Sequence, residues 1–260
     1  MVKTSGPAVP AILKEIRTAL DAAVPGKARP VPEARPKSSA RVLGVKPTAI
    51  RAIARDVATR YKASLDYASA VALFDAVALR KVQEEILVAI DILDRFRRDF
   101  SPSLLSHVDR WSSLADDLEI AGAMGERIAS PALALDPAKM VFVRKWARTR
   151  SAGKRRLAVL AVGAMISGSG RDVASALEIC GLLLNEENPV LVAEVAALLR
   201  ASTKVDAKAV QDFLFRRSID GNPDILRAGS ENLDAARRAA LIAKLEAQAG
   251  IPAPVEATEG

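Results

Sequence analysis

A chain of 260 residues with net charge +7 and 50% hydrophobic residues has ample apolar material for one large domain or two small ones. Its single cysteine, Cys180, excludes an internal disulfide framework and fits a reducing cytoplasm. No run is continuously apolar enough to span a bilayer, and no apolar leader opens the chain, so a cytoplasmic location without a membrane partner is expected. The cationic balance points to an anionic partner, nucleic acid before a membrane surface.

Residues 1–10 are polar and read as a disordered tail. Ala11–Ala23 then sets Ile12, Ile16, Ala19 and Leu20 at helical spacing, which predicts an amphipathic helix. Segment 24–39 holds Pro25, Pro30, Pro32 and Pro36 among basic residues, a density no helix survives, so it reads as a basic loop. Pro47 opens the next helix at a first-turn position, with Ile50, Ile53, Ala54 and Val57 as its stripe. Ser69–Leu79 predicts another. Lys81–Phe100 predicts a long one with Ile86, Ile90, Leu93 and Phe96 inward.

Ser101-Pro102-Ser103 signals a stop and a fresh start, followed by Leu104–Trp111 and Ser113–Met124. Asp136-Pro137 begins the helix leading into the most basic part of the chain. There, two helices are expected to meet at a turn, Ser151-Ala152-Gly153. Arg144, Lys145, Trp146, Arg148 and Arg150 lie before it, and Lys154, Arg155 and Arg156 after it. Arg171–Leu184, Pro189–Ala201, Asp206–Arg216 and Ser230–Ala249 complete the series, and 250–260 reads as a flexible tail. No run alternates like a strand, so the fold class is all-α. Helix pairs recurring at roughly 40 residues suggest a curved right-handed solenoid of HEAT-like pairs over 11–249.

A helix start presents unpaired N–H groups and a positive dipole end, so cations at Lys154, Arg155 and Arg156 make a grip for phosphate. Those cations do not help the helix itself, which hints at an external anion. An isolated basic turn is more often a solubilising feature. Other chemistry is thin. His107 is the sole histidine, which leaves little for a metal cluster or a Ser-His-Asp triad, and no metal or cofactor is expected. Cys180 lies in an apolar run and reads as a core thiol. Ser167-Gly168-Ser169-Gly170 lacks the strand and Lys of a phosphate loop and reads as a turn.

Four stretches together carry a resemblance. Gly44-Val45-Lys46-Pro47 with Ile50 to Ala54 is similar to an early "GVR-P-LR-IAK" helix start. Asp109-Arg110-Trp111 with Leu114-Ala115-Asp116 is similar to a "W-D-x-x-D" helix. Trp146-Ala147-Arg148 with Arg155-Arg156-Leu157-Ala158 is similar to a "W-S-x-S-x-x-x-W-x-R-R-A-A" turn. Glu194 to Arg200, then Asp206-Ala207 and Val210 to Leu214, are similar to a "KA-I-G-W-A-L-R-x-x-G-K-x-D-P" segment. In this order, from about Ile12 to about Phe215, they resemble the DNA alkylation repair family of HEAT-like DNA glycosylases, the AlkD type.

The resemblance implies a concave basic groove holding double-stranded DNA, alkylated or distorted, and excision of N3- or N7-methylated purines. An Asp carboxylate would stabilise the developing sugar cation. Aromatic faces would contact the cationic lesion, and Arg and Lys would hold phosphates. Three positions depart from the pattern. The carboxylate four residues after the tryptophan is Ala115, with Asp116 one residue later and about 100° further round a helix. Gly153 stands at the "W-x-R-R" tryptophan, and Ala197 follows Ala193-Glu194-Val195-Ala196 where the other ring would be.

The expected reading is a monomeric DNA-binding member using Arg148, Lys154, Arg155, Arg156, Trp146 and Arg200, with glycosylase activity in doubt. One alternative is an active alkylpurine glycosylase using Asp116 with Trp111. Another is a helical-repeat scaffold for protein partners, which a chain with few aromatic and Met anchors suits less well.

Overall fold

Proline and short polar side chains decide where most helices of this chain begin. The computed structural model describes residues 8–26, 40–167 and 172–249. Residues 1–7 and 250–260 of the predicted tails, most of the proline-rich loop and the Gly-Ser turn at 168–170 lie outside the described residues, whereas Ala8 to Pro10, expected in the tail, already belong to the first helix. Among the described residues the chain is all-α, and its one β-type contact is an isolated bridge between Arg41 and Val82. It divides into two compact units, Met1–Met165 and Ile166–Gly260, each taken by itself below.

The first unit contains α1 (Ala8–Ala23), α2 (Pro47–Arg60), α3 (Tyr67–Ala78), α4 (Gln83–Asp94), α5 (Leu104–Trp111), α6 (Leu118–Met124), α7 (Ser130–Leu135), α8 (Met140–Ala147) and most of α9 (Ala152–Ser167). α4 is its centre. It packs against α1, α2, α3 and α6 and is buried nearly all round, from Gln83 through Ile90 and again at Ile92 and Leu93. Its middle, Ile86 to Ile90, is apolar on every side, and such a stretch has this fate. Its polar start is held by partners: Glu84 accepts backbone N–H groups of Leu43 and Gly44 at 2.9 and 2.7 Å. That pins the turn at Gly44, whose φ of 84° suits glycine, and aims the chain at Pro47.

Several predicted boundaries move, each for a local reason. The long helix expected over 81–100 ends at Asp94; a 3-10 turn, Arg97–Asp99, follows, and Phe96 is only half-buried. The helix expected over 113–124 is two pieces. Ser112–Asp116 is 3-10, Asp117 turns extended, and its carboxylate caps α6 by accepting from Glu119 N and Ile120 N at 3.0 and 3.2 Å. A π-helical turn, Gly125–Ala129, and α7 continue α6; this stretch carried no expected helix. The turn between α8 and α9 spans Arg148 to Ser151, so Ala152 and Gly153 are already helical.

The second unit holds α10 (Val173–Leu182), α11 (Pro189–Thr203), α12 (Ala207–Arg216), α13 (Pro223–Gly229) and α14 (Ala235–Ala249). α11 is its hub, packing against α10, α12 and α13. α13 was not expected, although Asn222 accepts from Asp224 N at 2.8 Å and Pro223 takes the first helical position. α14 begins at Ala235 rather than Ser230, behind Asp234, which accepts from Arg237 N at 2.9 Å.

Candidate functional site

Within the first unit, the end of α5, the 3-10 turn after it and the α8–α9 turn form one corner. Two tryptophans anchor it. Trp111, the last residue of α5, is 3% exposed and stacks on Phe74 with ring centroids 4.0 Å apart. Its indole N–H donates to Asp75 Oδ1 at 2.7 Å. Trp146, near the end of α8, is 1% exposed and donates to Asp109 Oδ1 at 2.9 Å. Buried indoles usually find such a partner.

Asp109 also takes Lys145 Nζ at 2.8 Å. Burial alone would push its carboxyl up; the hydrogen bonds from Lys145 and Trp146 and the charges of Lys145 and Lys154 outweigh that and hold it below the usual range. Asp109 is thus an ionised tie between α5 and α8.

Asp116 is half-buried at the end of the 3-10 turn, and its Oδ1 accepts the Ser151 hydroxyl at 2.7 Å. Ser151 Oγ in turn accepts from Lys154 N at 3.2 Å, the pattern of an N-cap for α9. Gly153 lies directly on this turn: a Cβ there would overlap the Ala115 carbonyl. No side chain, and certainly no indole, fits at that position, which explains one departure from the family pattern.

The arginines divide by role. Arg155 Nη1 donates to the carbonyls of Thr149 at 3.1 Å and Arg150 at 2.8 Å, closing the turn it follows. Arg156 donates to the Leu118 carbonyl, its guanidinium lying over Gly122. These bonds supply a reason for cations at a helix start that needs no external anion. Arg148 and Arg150 are exposed and Lys154 half-exposed beside them. Arg200 belongs to the second unit, where Nη1 donates to the Ala228 carbonyl at 3.0 Å and lies 3.3 Å from Glu231.

The corner therefore brings together Asp109, Asp116, Trp146, Ser151 and Lys154, with Trp111 on the same helix as Asp109. Asp75, Asp109 and Ser151 have roles that the sequence reading did not assign. Ser151 was within reach of it, standing three residues before Lys154 as an N-cap does. Asp75 carried no signal, being 36 residues from Trp111.

His107 sits nearby with Nδ1 2.7 Å from Arg110 and 3.9 Å from Asp75. Burial and the Arg110 charge lower its pKa against the pull of Asp75. Among the described residues no three His, Cys, Asp or Glu side chains gather as a metal site, and no helix is long and apolar enough to cross a membrane.

A comparison with curated proteins finds no match. The sequence model of one family, described as DNA alkylation repair enzyme, matches residues 16–233, most of the chain from α1 to α13. On that span the chain belongs to the DNA alkylation repair enzyme family.

Proposed function

We propose that this chain is a DNA-binding member of its family, gripping duplex phosphates at the α8–α9 corner, with alkylpurine excision lost. One observation carries the reading. The corner keeps accessible cations, the exposed Arg148 and Arg150 and the half-exposed Lys154, while both tryptophans are buried with their N–H groups committed to Asp75 and Asp109. Phosphate contacts need only accessible charge. Recognition of a cationic lesion needs an aromatic face open to it, and neither indole offers one.

Arg155 and Arg156 shape the corner through their carbonyl contacts and lend it charge. Arg148 and Lys154 are the stronger candidates for direct phosphate contact. A titration of duplex DNA over a salt series tests this: Arg148→Ala/Lys154→Ala should reduce the slope of log K against log salt by about 2, near 0.9 per contact. An unchanged slope rejects these contacts.

A second reading is favoured by Asp116, whose half-exposed carboxylate is fixed by Ser151 and is available to stabilise a sugar cation. Duplex containing N7-methylguanine or N3-methyladenine separates the two. The first reading expects binding without base release. Release abolished by Asp116→Asn would establish the second, and neither binding nor release would leave a protein-binding scaffold.

A further inference from the structure

Away from the tryptophan corner, the first unit has a cavity of about 500 Å³, walled by Arg51 and Ala54 of α2, Asp91 and Asp94 of α4, Arg95 just beyond α4, and Arg127 of the π-helical turn. Its carboxylates are already engaged. Arg127 forks between them, meeting Asp91 through Nη1 and Asp94 through Nη2 at 3.0 Å and Nε at 3.2 Å. Arg97 adds a second cation to Asp94 at 2.7 Å. The guanidinium of Arg127 is held so firmly that its proton is bound more tightly than usual, burial being outweighed by the two aspartates.

Arg51 and Arg95 are different. Both are exposed, and neither has an ion-pair or hydrogen-bond partner among the described residues. Lining this cavity, Arg51, Arg95 and Arg127 face only Asp91 and Asp94, a surplus of one positive charge. An adjoining cavity of about 300 Å³ shares Arg51, Asp91 and Arg127 but adds Glu119, Glu126 and Arg156, so the surplus is not carried over to that side. The excess is confined to the α4 end, where two arginines share one polar hollow.

We propose that this cavity is a phosphoryl-binding subsite, in which Arg51 and Arg95 take the phosphate oxygens over a floor fixed by Arg127. Guanidinium groups suit this because their planar fork matches two oxygens at once. The volume accommodates a nucleotide-sized group. The phosphoryl group has two sources, a DNA phosphodiester or a small phosphate compound. The first rests on the DNA-binding reading above and extends its footprint to α2 and α4; the second does not depend on it.

Both arginines are exposed, so Arg51→Ala/Arg95→Ala should melt like the wild type. Two titrations of wild type and variant decide the matter, one with duplex DNA over a salt series and one with pyrophosphate. If the strand lies here, the variant lowers the duplex salt slope by about 1.8 and weakens binding to all sequences alike, with Arg148 and Lys154 intact. If the ligand is a small phosphate compound, the duplex slope stays put and pyrophosphate binding drops at least tenfold. A wild type that binds no duplex removes the DNA-binding reading and leaves the pyrophosphate arm to judge the subsite. Slopes that coincide, together with pyrophosphate that binds neither protein or binds both equally, overturn the proposal.

Discussion

The two units specify their helices by different means. In the second, α10, α11, α12, α13 and α14 each begin behind an Asp or Asn whose side chain accepts a first-turn N–H: Asp172, Asn188, Asp206, Asn222 and Asp234. In the first, α3, α6 and α9 are capped by Asp66, Asp117 and Ser151, but α2, α4, α5 and α8 have no side-chain cap and depend on other bonds. Their order comes from carboxylate-centred bonds between residues 34 to 41 positions apart, such as Gln83 to Asp117, Trp111 to Asp75 and Leu43 to Glu84. At that interval each such bond joins two different segments of the unit. Local capping makes helices, whereas distant carboxylates place them, and the proposed site lies in the unit built the second way.

This contrast sets the size of the expected effects. The largest belongs to the contact with no room for relief. Gly153→Ala drives a Cβ into the Ala115 carbonyl and should cost about 3 kcal/mol, a loss of roughly 6 to 12 °C in Tm for a protein of this size. Gly163→Ala in the same helix meets nothing within 4 Å and should be neutral or stabilising by up to about 1 kcal/mol. Thermal melts of the two variants side by side check the pair, and similar Tm values would mean that α9 does not press on the 3-10 turn as described.

Next comes a distant carboxylate against a local cap. Glu84→Ala leaves the half-buried Leu43 and Gly44 N–H groups without their charged acceptor and should cost about 2 kcal/mol. Asp206→Ala removes one cap bond, to Ala209 N at 2.9 Å, and should cost about 1 kcal/mol. Urea unfolding of both variants measures the difference. Equal losses would erase the distinction between the units.

The smallest effect is a pH dependence. The folded protein lowers the His107 pKa, so the neutral ring is favoured when folded. Stability is full above the unfolded value near 6.5 and falls as pH drops through it towards the folded value. Partly solvated, the residue should shift Tm by about a degree or less between pH 7.5 and 5.5. As the chain has one histidine, His107→Gln should flatten that slope, and an unchanged slope would assign it elsewhere.

The same contrast explains what the sequence made legible. The all-α class, the proline-led starts at Pro47 and Pro189 and the apolar stripes of α1 and α2 follow from period and punctuation over a few residues. α13 was legible too, from Asn222-Pro223, and was overlooked because the segment before it is short and polar. The split at Asp117 was hidden because an Asp inside a helical pattern reads equally well as surface charge. The tryptophan partners were hidden for a deeper reason: the carboxylates that quench the indoles are on other helices, and no local pattern announces them. Residue identity located Trp111 and Trp146; only packing shows that their faces are closed.

Cys180 is fully buried in α10, and burial pushes its thiol pKa upward, so both access and ionisation are withheld in the folded protein. A thiol-reactive dye can therefore label this chain only during transient openings of the second unit. Its labelling rate becomes a clock for those openings, readable in native buffer without an added probe site.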